Sequence, residues 1–323
     1  MHLIHTTFLC EWWYIMENNP SKARENPLKP SIASLIIKNK SSYLFLAPFA
    51  IFFLLFTVLP VLAAIGLSFF NFNMIEVTGF AGADNYIRML FDDDVFLIAV
   101  KNTLVFAFLT GPVSYILCLI LAWLVNEVPK NLRIFLTLIL YAPSITGGAI
   151  FIWSYIFSGD SYGLINSLFM KIGVLQDPIN WLIDDRYNLG VIIIIQLWLS
   201  LGAGFLSFIA GFQTVDRSIY EAGAIDGIRN RFQELWYLTL PSMRPQLMFG
   251  AVMQIAASFS VSAVPMQLTG FPSTNNSTTT IVMHVLDNGT IRMEMGYACA
   301  IATVLFVTMI ITRNLVSRII KSE

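Results

Sequence analysis

The sequence has 323 residues, of which 56% are hydrophobic and only 12% are charged, and its formal net charge is −1. Water-soluble domains are typically about 45–50% apolar and about 25% charged, so this composition excludes a large soluble domain and indicates an integral membrane protein. Acidic and basic residues nearly balance, and no nucleic-acid partner is expected.

The first 42 residues are predicted to be a cytoplasmic tail. The segment MHLIHTTFLCEWWYIM does not have the pattern of a signal sequence, because Glu11 interrupts it, no basic residues precede it and no small-residue cleavage site follows. We expect this segment to be disordered or interfacial, with Met16 as an alternative translation start to Met1. Cys10, Cys118 and Cys299 are far apart, so neither a disulfide framework nor a metal site is expected.

Six apolar runs are long enough to cross the hydrocarbon core of a bilayer, which takes roughly 20 residues in a helix. They lie at 43–71, 102–126, 133–157, 189–212, 246–268 and 296–317. The predicted fold is therefore an all-α integral membrane protein, with a six-helix transmembrane domain at 43–317. A short cytoplasmic tail at 318–323 follows it.

Basic residues predict that both termini lie in the cytoplasm, because cytoplasmic flanks retain Lys and Arg. This orientation leaves only five basic residues outside, namely Arg88, Lys101, Lys171, Arg186 and Arg292. The outer loops are then 72–101, 158–188 and 269–295, and the run Asp92 to Asp94 is interpreted as a solvated outer face. Whether these loops only connect helices or form a docking rim stays open.

A polar, charged segment at 213–245 separates the fourth and fifth spans and is predicted to be cytoplasmic. Residues 220–225 are expected to form a short helix capped by Asp216 or Ser218, with Gly227 as a natural bend. A second helical stretch, NRFQELWYL, leads towards the next span. The segment is therefore predicted to be a helix-turn-helix at the membrane surface, and its mixed charges favour a protein partner over anionic lipid.

The pattern EAGAIDG followed by LP resembles the EAA loop of permease subunits in ATP-binding-cassette importers. Segments outside the loop resemble the carbohydrate-type members, so the likeness covers most of 43–317: GFAGADNYIRMLFDDDVFLIAVKNTLVF, YAPSITGGAIFIWSYIF, GLINSLFMKIGV and NWLIDD. The loop positions that the resemblance assigns to coupling with the ATPase are Glu221, Ala222, Gly223, Asp226, Gly227, Leu240 and Pro241. Gly223 stands where the family usually has alanine, which predicts a short helix weakened by about 1 kcal/mol.

The resemblance implies a non-catalytic permease subunit in the bacterial cytoplasmic (inner) membrane. It also implies a heterodimer with a second permease subunit, two ATPase subunits and an extracytoplasmic substrate-binding protein. Glu221 would pair with a basic residue of the ATPase, Ala222 would let the two backbones approach, and Gly227 would set the bend. We expect no cofactor on this chain, which has no GxxxxGK[ST] phosphate loop, and we expect ATP and magnesium on the partner ATPase.

The carbohydrate-type likeness implies an oligosaccharide as substrate, and polar or aromatic residues inside the spans are candidates to line its path. The chosen candidates are Gln196, Trp198, Gln254 and Ser258. Gln254 and Ser258 are four residues apart and share one face of the fifth span. Hydrogen bonding between helices is the alternative role for each of these residues.

Overall likeness to the bacterial alginate importer makes alginate one candidate substrate, although no Lys or Arg lies deep in a span to neutralise an acidic chain. Two other classes of protein stay open. An ion-coupled secondary transporter commonly has inverted repeats and a buried ionisable residue, and neither is evident. A membrane-embedded glycolipid enzyme needs paired carboxylates or a basic cluster, for which the run Asp92 to Asp94 is the only candidate.

Overall fold

A computed structural model describes the backbone of residues 40–322 and the side chains of residues 40–318. The expectations for the N-terminal tail, including the start at Met16, lie outside the described residues except for 40–42. The chain divides into two compact units, Met1–Leu62 and Ala63–Glu323, and each is described by itself.

Helix α1 spans Lys40–Leu67 and supplies all of the described part of the first unit. It is apolar for almost its whole length, and it contains Pro48 and a π-helical turn at Leu54–Val58. The first span was predicted to reach residue 71. The helix ends at Leu67 instead, because the chain turns there into an extended segment.

That extended segment begins the folded region before the second span. Strands β1, Phe70–Phe72, and β2, Val77–Phe80, form an antiparallel hairpin in which Phe70 lies opposite Phe80. Helix α2, Asp84–Phe91, follows, and the buried side chain of Asn85 donates to the backbone oxygens of Ser68 and Phe70 at 2.9 and 3.3 Å. The predicted loop 72–101 is therefore largely folded structure.

The second and third spans differ from their predicted forms. Helix α3, Asp94–Asn126, begins eight residues before the predicted start at 102, because Asp93 caps it by accepting from the amide of Phe96 at 2.9 Å. The third span consists of two helices, α4, Lys130–Ile145, and α5, Ala149–Ile156, which meet at an angle of 82°. Pro143 and the pair Gly147–Gly148 lie at this break and account for it.

The remaining helices follow in chain order. A short helix, α6, lies in the segment between the third and fourth spans. The fourth and fifth spans, α7 with α8 and α11 with α12, are each interrupted once. The sixth span, α14, is one continuous helix. The bounds of these helices are α6, Leu164–Lys171; α7, Asn188–Leu199; α8, Ala203–Thr214; α9, Arg217–Ile225; α10, Arg231–Gln233, prolonged by Glu234–Thr239 and Leu240–Ser242; α11, Arg244–Phe259; α12, Ala263–Leu268; α13, Ile281–Leu286, prolonged by Asp287–Ile291; and α14, Met295–Ser322.

Helices α3, α8 and α11 pack against one another and build the main core of the second unit. This core contains Cys118 from α3, Phe205 and Phe208 from α8, and Met243 just before α11, all fully buried. Within 40–322, five helices are long and apolar enough to cross a membrane, and there are six if the bent pair α4–α5 is one span. The all-α class and the six predicted spans are thus confirmed, while the domain boundaries stay predictions.

Candidate functional site: the charged loop and the broken spans

The loop between the fourth and fifth spans contains two capped helices. The carboxylate of Asp216 accepts from the amide of Ser218 at 3.0 Å and begins α9. Asn230 begins α10 in the same way by accepting from the amide of Gln233 at 2.7 Å. Between the helices Gly227 has φ +93°, a left-handed conformation that glycine adopts without steric cost. The predicted helix-turn-helix is therefore present.

Gly223 lies at the contact between the two helices of this loop. It is buried, and a β-carbon at this position would lie 2.6 Å from Cδ1 of Leu238 in the prolongation of α10. The helix continues through Gly223 to Ile225. The departure from alanine therefore has a packing reason, because the missing methyl group is the space that Leu238 occupies.

The face of α9 that points away from Leu238 is exposed, and one edge of it is polar. Glu221 pairs with Arg217 at 3.3 Å, yet their side chains are 69% and 91% exposed. Such surface pairs contribute only about 0–1 kcal/mol, so Glu221 can exchange Arg217 for another basic group at little cost. Ala222, Asp226 and Gly227 are also exposed, and Ile225 is 88% exposed. This face is available for contact with another chain.

The inner side of the loop is fixed to the ends of the spans. The hydroxyl groups of Tyr220 and Thr239 lie 3.0 Å apart and join α9 to the prolongation of α10. Leu240 packs against the main core, whereas Pro241 is exposed. The structure thus separates the predicted coupling residues into an exposed face, which contains Glu221 and Ala222, and an inner anchor, which contains Gly223 and Leu240.

An ion cluster connects α10 to the end of α3. Arg231 donates to Glu234 at 2.8 Å and lies 3.7 Å from a carboxylate oxygen of Glu127. The hydrogen bond to Glu234, together with the nearby charge of Glu127, raises the pKa of the Arg231 guanidinium above its ordinary value. The three side chains line a polar cavity of about 240 Å³ that Tyr220 and Thr239 also border. A displacement of the loop would therefore act directly on α3.

Gln254 and Ser258 do share one face of α11, as predicted, and both line an apolar cavity of about 300 Å³ between α3, α11 and α14. Both are buried, at 5% and 4% exposure. The amide of Gln254 donates to the backbone oxygen of Ser200 and to Sγ of Cys118, each at 3.2 Å. The hydroxyl of Ser258 donates to the carbonyl of Ile255 in its own helix.

Gln196 and Trp198 lie elsewhere, on α7, and do not line that cavity. Gln196 is partly buried. Trp198 is 37% exposed, and its ring stands edge-on to Trp153 of α5 with the ring centres 5.3 Å apart. The four predicted path residues therefore form two separate groups, and their role in binding substrate stays a prediction.

In the described part of the chain, three spans are interrupted within their length, a feature that sequence reasoning missed. The breaks fall between α4 and α5, between α7 and α8, and between α11 and α12. Gly202 in the second break approaches Ser144 in the first, since a β-carbon there would lie 3.8 Å from Cβ of Ser144. Irregular backbone at membrane depth is tolerated where it is buried in protein or lines a water-filled cavity. Two sequence signals could have predicted two of these breaks: the pair Gly147–Gly148 for the first break, and Ser200 with Gly202 for the second.

The interpretation of Asp92 to Asp94 as a solvated face is wrong for Asp93. Its side chain is 13% exposed, and one carboxylate oxygen accepts from the hydroxyl of Tyr297 at 2.6 Å and lies 2.8 Å from Nε2 of His284. Burial acts to raise the pKa of Asp93, but hydrogen bonds from Tyr297, the Phe96 amide and His284 together lower it below its ordinary value. Asp93 thus joins α3, α13 and α14 at the end of the bundle opposite Glu127.

The predicted outer loop 269–295 also does more than connect two spans. Thr278, Thr279 and Thr280 are at most 2% exposed. Asn102 of α3 donates to the carbonyls of Asn276 and Thr279, both at 3.0 Å. The loop is therefore packed into the bundle, where its backbone polar groups are paired with side chains of the spans.

Comparisons with known proteins agree with the membrane-spanning fold. No family model matches the chain. The chain is 31% identical to the probable ABC transporter permease protein YesP of Bacillus subtilis (strain 168), over 83% of this chain and 86% of that protein. It is 29% identical to the arabinooligosaccharides transport system permease protein AraP of the same organism, over 90% of this chain and 91% of that protein. These relatives do not favour an ion-coupled transporter or a glycolipid enzyme.

Solved structures show the same fold. A chain of a bacterial alginate ABC transporter, in complex with a periplasmic protein that holds an alginate pentasaccharide, superimposes with a TM-score of 0.70 and 21% identity. The match covers 88% of this chain and 95% of that one. Identity of 31% along most of both sequences, a shared fold and six apolar spans lead to one conclusion: the chain belongs to the permease subunits of ATP-binding-cassette transporters.

Proposed function

We propose that this permease forms half of the translocation path for an oligosaccharide and is coupled to a separate ATPase through α9. The observation that carries the proposal is the exposed face of α9. This face presents Glu221 and Ala222, while Gly223 and Leu240 anchor the helix from within. A short, capped helix fixed to the spans can transmit motion as a lever, because it biases one of two packings of the spans.

The proposed assembly contains a second permease subunit, two ATPase subunits that bind ATP and magnesium, and an extracytoplasmic binding protein. A periplasmic protein is present in the alginate transporter complex whose fold this chain shares. The chain is a multi-pass protein of the inner membrane, and we propose that the α9–α10 loop and both termini face the cytoplasm. The distribution of Lys and Arg supports this orientation.

Oligosaccharides are proposed as substrates because relatives include permeases named for arabinooligosaccharides and for lactose. The broken ends of the spans carry hydroxyl groups of the kind that bind sugar hydroxyls, among them Ser144, Thr146 and Ser260. Lys and Arg occur in the spans only towards their ends, as at Lys101 and Arg313. This subunit therefore offers little charge at mid-membrane to neutralise a polyanion such as alginate, which would need the partner permease or hydration.

The coupling role is tested with Glu221→Ala and the matched control Arg217→Ala, in the complete transporter reconstituted into vesicles. Removing the anchor is expected to cost about 2–5 kcal/mol of ATPase contact if the intermolecular pair is buried, and to lower substrate-stimulated ATP hydrolysis. Arg217→Ala removes only the internal partner of Glu221 and should retain coupling. Normal assembly and transport in Glu221→Ala would refute the assignment.

The substrate is tested by stimulation of ATP hydrolysis in the same vesicles, with the binding protein present. Neutral arabino-oligosaccharides and acidic alginate oligomers are compared at equal concentration. We expect the neutral series to stimulate hydrolysis more strongly. Stimulation by alginate alone would reverse the charge argument, and stimulation by neither series would contradict an oligosaccharide substrate.

A further inference from the structure

An aromatic patch occupies the outer face of the segment 231–242. It consists of Phe232, Trp236 and Tyr237, which are 62%, 58% and 66% exposed. The rings of Phe232 and Trp236 are nearly parallel, at 15°, with their centres 6.4 Å apart. Three large exposed aromatic side chains on one short helix form an unusual surface for a segment that also carries charged residues.

The depth of the patch follows from the opposite face of the same segment. Leu235 and Thr239 are buried there, at 9% and 3% exposure. Leu235 belongs to the main core together with Val125, in the last turn of α3, and Phe212, in the last turn of α8. The aromatic patch is therefore level with the ends of the membrane spans.

The patch also directly precedes a membrane span along the chain. The segment 231–242 leads into the span α11 with only Met243 between them. Arg244, which is exposed, begins α11, and Phe249, about one and a half turns further on, is 50% exposed. A basic residue followed by exposed apolar residues is typical of the cytoplasmic end of a span.

The two charged side chains of the segment 231–242 lie on another side from the patch. Arg231 and Glu234 face the polar cavity beside Glu127, and the charged edge of α9 lies beyond Gly227. Among the described residues no partner is found for the indole N–H of Trp236 or the hydroxyl of Tyr237. Trp and Tyr are enriched where membrane meets water, because each has an apolar body and a polar tip.

We propose that Phe232, Trp236 and Tyr237 insert into the interfacial layer of the lipid bilayer, with their rings at the boundary between headgroups and acyl chains. The polar tips of Trp236 and Tyr237 then bond to phosphate or ester oxygens of phospholipid. This contact holds α10 at the membrane surface while α9 projects into water on the far side of Gly227. The inference needs only the membrane-spanning fold and is independent of the proposed coupling to an ATPase.

The test places one nitroxide label at a time in the complete transporter, in vesicles of phosphatidylethanolamine and phosphatidylglycerol. Cys118 and Cys299 are buried, and Cys10→Ser removes the remaining native thiol. Labels are attached to Trp236→Cys and Tyr237→Cys. The control label is attached to Lys130→Cys, at the exposed start of α4 and away from the face of α9 that is proposed to contact the ATPase. Collision rates with oxygen, which partitions into lipid, and with a water-soluble nickel chelate are then compared.

The oxygen-to-nickel ratio is expected to be several-fold higher at 236 and 237 than at 130. A ratio at 236 and 237 equal to that at 130 would show a water-exposed patch and overturn the proposal. Low collision rates with both reagents would show that another protein chain covers the patch, which also overturns it. Transport activity of each labelled transporter is measured in parallel, so a failure of coupling is distinguished from a failure of lipid contact.

Discussion

Gly223 decides how closely the two helices of the charged loop approach each other. Alanine there would gain about 1 kcal/mol of helix propensity, but overpacking against Leu238 typically costs about 1–3 kcal/mol. We therefore expect Gly223→Ala to loosen the loop and to speed tryptic cleavage at its exposed arginines in the assembled transporter. In a Leu238→Ala background the same substitution should slow cleavage, because the steric conflict is gone. Slower cleavage in both backgrounds would contradict the packing argument.

Gln254 of α11 forms hydrogen bonds to two other spans, through Cys118 of α3 and Ser200 at the end of α7. Gln254→Leu would remove the hydrogen bond from α11 to the carbonyl of Ser200, which keeps the amide of Gly202 as a donor, and such a bond contributes about 0.5–1.5 kcal/mol. We expect a lower unfolding temperature in detergent with little change in the KM for substrate. Ser258→Ala is the matched control, because it loses only a bond within α11. A raised KM without loss of stability would instead place Gln254 in the substrate path.

Among the elements, α3 is attached to its neighbours through its N-cap residue, because Asp93 contacts His284 of α13 and Tyr297 of α14. Asp93→Asn removes the charge that accepts from Tyr297 and should destabilise the protein by about 2 kcal/mol at neutral pH. The test compares the unfolding temperatures of wild type, Asp93→Asn and the control variant Asp84→Asn, which makes the same change at an exposed carboxylate. An unchanged unfolding temperature of Asp93→Asn would contradict the prediction, because it would show that the helix cap at residue 93 stabilises the protein without the charge.

The same carboxylate predicts a pH dependence. Since the folded pKa of Asp93 lies below its ordinary value of 3.8, its charge stabilises the fold at pH above that value. The stabilisation is lost as the pH falls through the lowered pKa. We expect the difference in unfolding temperature between wild type and Asp93→Asn to be constant above about pH 5 and to shrink below pH 4. A difference that persists at lower pH would contradict this linkage.

At the scale of the whole molecule, the loop 273–280, which is buried at Ser273 and at 278–280, links spans that are far apart in sequence. Asn102 supports two of its carbonyls, and Asn188 of α7 donates to Ser277 at 2.7 Å. Asn102→Ala should therefore accelerate amide hydrogen exchange in the loop while leaving α9 unaffected. Thr303→Ala, which loses only a bond within α14, is the control. Equal exchange in both variants would show that the loop does not depend on Asn102.

The sequence by itself determined the six spans, the helical class and the two helices of the charged loop, with a cap for the first of them at Asp216 or Ser218. Hydropathy, capping and the bend at Gly227 are properties of neighbouring residues, so they can be read along the chain. Family likeness added the coupling role of Glu221, which remains a proposal.

Only the tertiary structure decided which side chains meet. Asp93 and His284 are separated by 191 residues, and Asn102 and Thr279 by 177, so no local pattern connects them. The burial of Gly223 beneath Leu238 likewise depends on how the loop folds back on itself. Hydropathy is a sum over adjacent residues, so the spans could be predicted from the sequence. Packing depends on residues that the fold brings together, so the contacts between distant side chains could not.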